Sequence, residues 1–434
     1  MSDRSAPASY LEAMRPRTAT LVAALTVALP ALATPSLQGC SSDDSRSGAT
    51  TADAAPDVTT RPDATMAGDG GEETSPSDGG SGGEVTDATP AKPLIPSGPI
   101  VVANAADASL AGLWITSDAG DCVVITGSSH VAILGSEIGP CAGNGIKVTG
   151  GDDLTIADSF IHPEHPAAGC CDTGDGIFVD GTSHVLVQGN VIAYGEANIE
   201  MHAVTHVNVT GNHLVNPQNA GSRGQNLQVW GQSSDVNVIG NYALSSADPK
   251  YTYPPKQEDS INFGFTDGLV AQGNYVVGGQ SPSGCGIIAD EAANGAQFLD
   301  NVILDTGQCG IAIADGTNAK VDGNKILNRN PVAGGGNTGL VVWKQYTEAC
   351  GPVVVTNNVS SELKPDMTTE SGYWNGGGCE PVTFTGNILD ANARALLLPV
   401  DTKLPPPPIP PSPLRCLAAA PWVNHTGFAP CGGI

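Results

Sequence analysis

Positive charge is what this chain most lacks: across 434 residues, 18 Lys and Arg stand against 44 Asp and Glu, a formal net charge of −26. With a pI near 4.3, the chain repels phosphate backbones, which excludes nucleic acid as a partner. The acid excess also extends through residues 98–400. A polyanionic glycan would be repelled by it unless divalent cations such as Ca2+ bridge the two, or a local basic patch receives the glycan. No other cofactor is indicated. The N-terminal apolar run, "LVAALTVALPALA", is too short and too early to span a membrane as a helix of the mature chain. The eleven Cys include no Cys-x-x-Cys and no Cys/His spacing of a metal site.

What is present is repetition. "SHVLVQGNVI" at 183–192 returns as "THVNVTGNHL" at 205–214. Its grammar is two apolar residues five and three positions before an Asn. It recurs at Asn190, Asn212, Asn241, Asn274, Asn301, Asn324, Asn358 and Asn387, with Ser136 and Ser159 in the Asn slot of two earlier copies. Successive spacings run from 22 to 34 residues, the mark of a solenoid whose insertions lie in loops. The apolar residues alternate with period two, which fits strands and not helices.

A second phrase, Gly-apolar-any-apolar, sits between the Asn slots, as in Gly145-Ile146-Lys147-Val148 and Gly176-Ile177-Phe178-Val179. It continues through Asn198-Ile199-Glu200-Met201 and Asn226-Leu227-Gln228-Val229 to Gly339-Leu340-Val341-Val342. Each coil therefore holds two alternating strands and a short third one after the Asn. Strands so short bury their apolar side chains only if coils stack at the roughly 4.8 Å spacing of paired strands. The Asn is expected at a bend, itself in left-handed backbone, with its amide bonded to the next copy.

Over about residues 98–400 this repeat resembles the right-handed parallel β-helix proteins of the pectate lyase and polygalacturonase type. The resemblance implies an all-β, right-handed parallel β-helix solenoid of about ten to twelve coils with an internal Asn ladder. The expected division is a signal at 1–39, an acidic tether at 40–95, the β-helix at 96–400, and a Pro-rich segment and tail at 401–434 that could cap the last coil. The N-terminal run ends in "LQGC", which resembles a bacterial lipobox. That implies lipidation at Cys40, export, and anchoring to the outer membrane or cell surface, the membrane being met through the lipid alone.

Ten Cys remain after Cys40, an even count that suggests disulfides in an exported chain. Cys285 and Cys309 each precede the Gly of the second phrase, and Cys350 and Cys379 each lie eight residues before a ladder Asn. Equivalent sites on stacked coils fall inside the Cα window of a disulfide. Cys122, Cys141, Cys170, Cys171, Cys416 and Cys431 cannot be paired this way.

In the family it resembles, the strand of the second phrase forms the functional face. Alternation sends two of its columns outward. One reads Lys147, Phe178, Glu200, Gln228, Asn262 and then Ile288, Ala312, Val341; the other reads Thr149, Asp180, His202, Trp230, Gly264, Asp290, Ala314, Trp343. Asp180, Glu200 and His202 gather by stacking alone, a set able to do general acid and base work on a glycosidic bond. The loop residue Arg223 would join this catalytic set, and Lys250, Tyr251, Tyr253 and Lys256 would add subsite charges and rings, beside the substrate contacts Gln228, Trp230 and Asn262. Trp230, Trp343, Tyr373 and Trp374 fall on or beside this strand, where sugar rings could stack, although aromatics are only 5% of the chain.

The stretch from Thr173 to Asn198 resembles the Asn-Thr-Asp-Gly and Gly-Asp-Asp of polygalacturonases, placing Asp175 and Glu196 on two of the three acids. Ala197 replaces the third. Gly224-Gln225-Asn226 stands for Gly-His-Gly, and Ser260-Ile261-Asn262 for Arg-Ile-Lys. His162 to His165, "HPEH", reads as a turn, and the His130, His184, His206 column as a repeated coil-edge residue; no metal set is assigned. Two functions follow: a polysaccharide lyase or hydrolase with its cleft on coils 175–262, or a non-catalytic polysaccharide-binding, adhesin-like surface protein.

Overall fold

The computed structural model describes residues 94–163, 174–217, 224–245, 258–279 and 281–401, and the account that follows concerns these. They form a right-handed parallel β-helix in which every named strand pair is parallel. Each coil runs through the strand of the second phrase, the strand before the Asn, and a short strand after it. The short strands join in one 12-stranded sheet from Ile95–Ser97 to Ile388–Leu389. In the early coils one strand rounds the bend between the first two positions, as in Ile146–Ala157 and Ile177–Gln188.

The core is a stack of identical slots. One coil contributes Ile177, Val179, Val185, Val187 and Ile192, the next Ile199, Met201, Val207, Val209 and Leu214, and all ten are buried. Register is residue-for-residue: Val185 pairs with Val207 and Val207 with Val236. At about 25 cal/mol per Å2 of apolar surface, this shared interior is what holds strands too short to survive alone. The glycines of the second phrase are required where coils approach closely. A Cβ on Gly176 would stand 2.4 Å from the Asn198 carbonyl oxygen and 2.5 Å from the Ile192 side chain.

The asparagines form a hydrogen-bonded column inside the bend. From Asn212 to Asn387, each Oδ1 accepts the backbone N–H and the side-chain amide of the Asn one coil earlier, at 2.9–3.0 Å. Each amide also donates to a buried carbonyl, as Asn241 does to Val209 at 2.8 Å. Ser159 and Ser136 continue the column. The left-handed residue is not the Asn, as the sequence suggested, but the one before it: Gly189, Gly211, Gly240 and Gly273 at φ 62–64, and Asp158, Asp300 and Asn357 at φ 52–57. The division of labour is physical. One residue turns the chain, and the next stays in regular backbone so that its amide points along the stack.

Three disulfides staple the coils: Cys285–Cys309 and Cys350–Cys379, as the register implied, and Cys122–Cys141, which it did not resolve. The β-helix stops at Leu389, short of the expected boundary at 400. Residues Asp390–Asp401 form an α-helix, α1, which lacks Gly and β-branched residues over "DANARALLL". Ala393 and Leu397, one turn apart, pack on Leu304 and Leu327 of the short-strand sheet, and Arg394 bonds Glu370 at 3.2 Å.

Candidate functional site

The two outward columns are realised by the register. Lys147, Phe178, Glu200, Gln228 and Asn262 lie side by side on successive coils, as do Thr149, Asp180, His202 and Trp230. Stacking therefore brings together Glu200, His202 and Asp180, but the contact it produces is selective. His202 Nε2 meets Glu200 Oε1 at 2.7 Å, and its ring leans on Phe178 with centroids 5.6 Å apart. Asp180 stands one coil back in the same column and is half-buried. The Trp230 ring crosses the Gly264 backbone so tightly that a Cβ there would stand 2.1 Å from it, and it meets Phe265 edge-on at 5.4 Å.

Asp175 and Glu196 lie at the entrance to this face, where each coil begins its first strand. A second hydrogen-bonded column runs there. Asn144 donates its N–H and side-chain amide to Asp121 Oδ1 at 2.7 and 2.9 Å, Asp175 donates its N–H to Asn144 Oδ1 at 2.8 Å, and Ala197 donates its N–H to Asp175 Oδ1 at 2.9 Å. One oxygen of Asp175 is thus a structural tether, and the other is free of that duty. Burial pushes the Asp175 carboxyl well above its usual range, and the negative charges of Glu200, Glu196 and Asp121 push it further. Glu196 is raised by burial and by Glu200. Burial and the neighbouring negative charges thus both favour the protonated forms of Asp175 and Glu196.

Other expected contacts are placed differently. Gln228 is nearly buried and Asn262 fully so, so neither side chain lies open to a ligand. Asn262 donates its amide to Asp259 Oδ2 at 2.9 Å and to Asp290 Oδ2 at 3.2 Å. Further along, Ile288, Ala312, Val341 and Trp343 are buried in one cluster, so the apolar part of the face is covered. Arg223, Lys250, Tyr251, Tyr253, Lys256 and Cys40 lie outside the described residues, as do Cys170, Cys171, Cys416, Cys431 and His165. His162 stacks on Phe160 and stands 3.4 Å from Glu137, the surroundings of a packed turn residue. Among the described residues no group of three or more His, Cys, Asp and Glu side chains is placed to hold a metal ion.

Asp259 was missed, although it occupies the same slot as Asp121 and Asp175, immediately before the second phrase. Its Oδ1 accepts the Cys285 N–H at 2.8 Å. Burial, then the charges of Asp290 and Glu258, raise its carboxyl to about 8. The folded protein therefore holds a proton that an unfolded chain releases above about pH 4. Where the unfolded state binds fewer protons, stability falls as pH rises, so this group costs stability progressively from about pH 4 to about pH 8 and by a constant amount beyond. Asp259→Asn is expected to flatten that slope, with a higher melting temperature than wild type at pH 9 and little difference at pH 4. Melting curves across that range decide it; parallel slopes in the two proteins would exclude the buried proton.

The chain belongs to the right-handed β-helix family: the model described as "Right handed beta helix region" matches residues 99–247 and 174–359. No curated protein sequence matches it. Among solved structures it is similar to the catalytic unit of the thermostable GH87 α-1,3-glucanase from Streptomyces thermodiastaticus strain HF3-3, at 13% identity and TM-score 0.43 over 66% of this chain and 49% of that one. The match thus spans about half of the glucanase unit. It is also similar to DFA-IIIase from Arthrobacter chlorophenolicus A6, at 14% identity and TM-score 0.37 over 67% and 83% of the two chains. A third is a double mutant of the periplasmic alginate epimerase AlgG, at 12% identity and TM-score 0.39 over 70% and 79%. At such identities these likenesses concern the fold.

Proposed function

We propose that the protein is a polysaccharide-acting enzyme, a lyase or hydrolase, held at the bacterial envelope by a lipid on Cys40. One observation carries the catalytic reading: Asp175, Glu196 and Glu200 crowd one end of the outward face, and His202 is bonded to Glu200. A retained proton on Asp175 or Glu196 supplies a general acid, and the Glu200–His202 pair supplies a base within the same cleft. Phe178, Trp230 and Phe265 offer ring faces along the path that a chain of sugars would follow.

A second reading has its own support. Asp175 Oδ1 is tied to the Ala197 N–H within a column of purely structural bonds, so its position is explained without catalysis. On that reading the face binds polysaccharide through its aromatic rings and turns nothing over. A panel of neutral and acidic polysaccharides, assayed for new reducing ends and for the ultraviolet absorbance of unsaturated uronates, separates the two. Binding without either product on every responsive glycan would sink the enzyme.

The anchoring proposal rests on the "LQGC" sequence. Cys40→Ser is expected to move the mature protein from the membrane fraction to the soluble one. Retention of the variant in membranes would end the lipoprotein reading.

A further inference from the structure

Away from this face, the turn six residues before each ladder slot carries a column of exposed side chains. His130, Asp153, His184, His206 and Asp235 follow one another on consecutive coils, all in left-handed backbone at φ 51–55. The conformation does not call for His, since Gly268, Gly295 and Asn318 fill the same slot in later coils at φ 59–68. Two of the histidines are adjacent. The His184 and His206 rings stack with centroids 4.8 Å apart and planes 18° from parallel. Behind each ring stands a carboxylate: Asp152 Oδ1 is 2.7 Å from His184 Nδ1, and Asp235 Oδ2 is 2.7 Å from His206 Nδ1. Ser183 Oγ donates to the same Asp152 oxygen at 2.5 Å.

An ionised carboxylate only accepts, so each Nδ1 carries the ring proton. In the neutral form that binds a metal, the imidazoles then present both Nε2 lone pairs. Carboxylate behind imidazole is the arrangement that orients metal-ligating histidines and raises their basicity. We propose that His184 and His206 form a two-imidazole site for a borderline divalent transition ion, Ni2+, Cu2+ or Zn2+, bound through the two Nε2 atoms on the rim of the solenoid. Nitrogens on one such ion, each at about 2.1 Å, are at most about 4.2 Å apart. Rings 4.8 Å apart need only tip toward each other. Imidazole selects these ions over Ca2+, which takes oxygen ligands. Two protein ligands leave the remaining coordination positions to water or to a donor from another molecule. His130 is the built-in contrast: it stands between Asp107 and Asp153, at 3.7 and 3.8 Å, with no imidazole stacked on it among the described residues.

The test titrates NiCl2 and CuCl2 into the full chain by calorimetry, with Cu2+ electron paramagnetic resonance as a second readout. One ion should bind saturably, with a spectrum of two nitrogen ligands. His184→Asn and His206→Asn, chosen because Asn tolerates left-handed backbone, should each weaken binding more than tenfold at unchanged melting temperature. His130→Asn should leave it unchanged. Asp152→Asn and Asp235→Asn keep both ligands and should weaken it about 10- to 100-fold, which keeps the proposal testable if a His variant folds poorly. No saturable binding in the wild type, or equal binding in both His variants, overturns it.

Discussion

Glu200→Gln should lower turnover of the responsive polysaccharide about 10²- to 10⁴-fold, the usual contribution of a positioned acid or base, while the protein stays folded. The side chain is outward and half-buried, and its neighbours Phe178 and Gln228 are set by strand register, which the substitution leaves alone. Surface changes of this kind shift stability by about 0.5 kcal/mol or less. The variant also reports on its neighbours. Glu200 is the largest charge acting on Asp175 and on Glu196, and it raises both. Removing it should bring their titrations down, so the alkaline limb of any residual pH–rate profile moves to lower pH. Asp175→Asn keeps the Oδ1 that receives the Ala197 N–H, so it tests the proton without cutting the tether. His202→Asn should mimic Glu200→Gln in activity. Cleavage that persists in all three variants would place the chemistry on another face.

The largest loss of stability is expected from Asn241→Ala. Its Oδ1 is the only acceptor drawn on by both the N–H and the amide of Asn212, and its own amide satisfies Val209 and reaches Asn274. The variant leaves two donors on Asn212 stranded in a fully buried bend and takes one bond from the Val209 carbonyl. Each stranded group costs about 1–3 kcal/mol, so the total should exceed the cost of a typical core truncation by one methylene. Asn241→Asp keeps the acceptor for Asn212 and loses only the donor side, and it should fall between Ala and wild type when ionisation is suppressed at low pH. The urea midpoint is the measurement. A wild-type midpoint for Asn241→Ala would mean that water enters the bend and replaces the amide.

The fold was legible because it repeats. Two apolar alternations and an Asn, copied at each turn of the solenoid, are a local signal that stacking amplifies, and the same register predicted Cys285–Cys309 and Cys350–Cys379. Cys122–Cys141 escaped because its two cysteines are not equivalent positions: Cys122 immediately precedes a first strand and Cys141 ends a short one. The C-terminal helix Asp390–Asp401 falls inside the 96–400 span expected for the β-helix, where the last strand is Ile388–Leu389.

The outward columns were legible for the same reason, and Glu200 and His202 do meet. Which atoms meet was not legible. Alternation sets both Asp180 and Glu200 near His202, and it is Glu200 that the ring meets, leaning on Phe178. Nor could alternation separate an outward residue from an exposed one. Asn262 points outward but is buried between Asp259 and Asp290. By itself the sequence determined the strands, their register and which columns face out, since all three follow from a period repeated along one axis. The tertiary structure alone decided burial, the partners of each carboxyl and therefore where protons are retained, because these depend on side chains from different coils and loops competing for the same space.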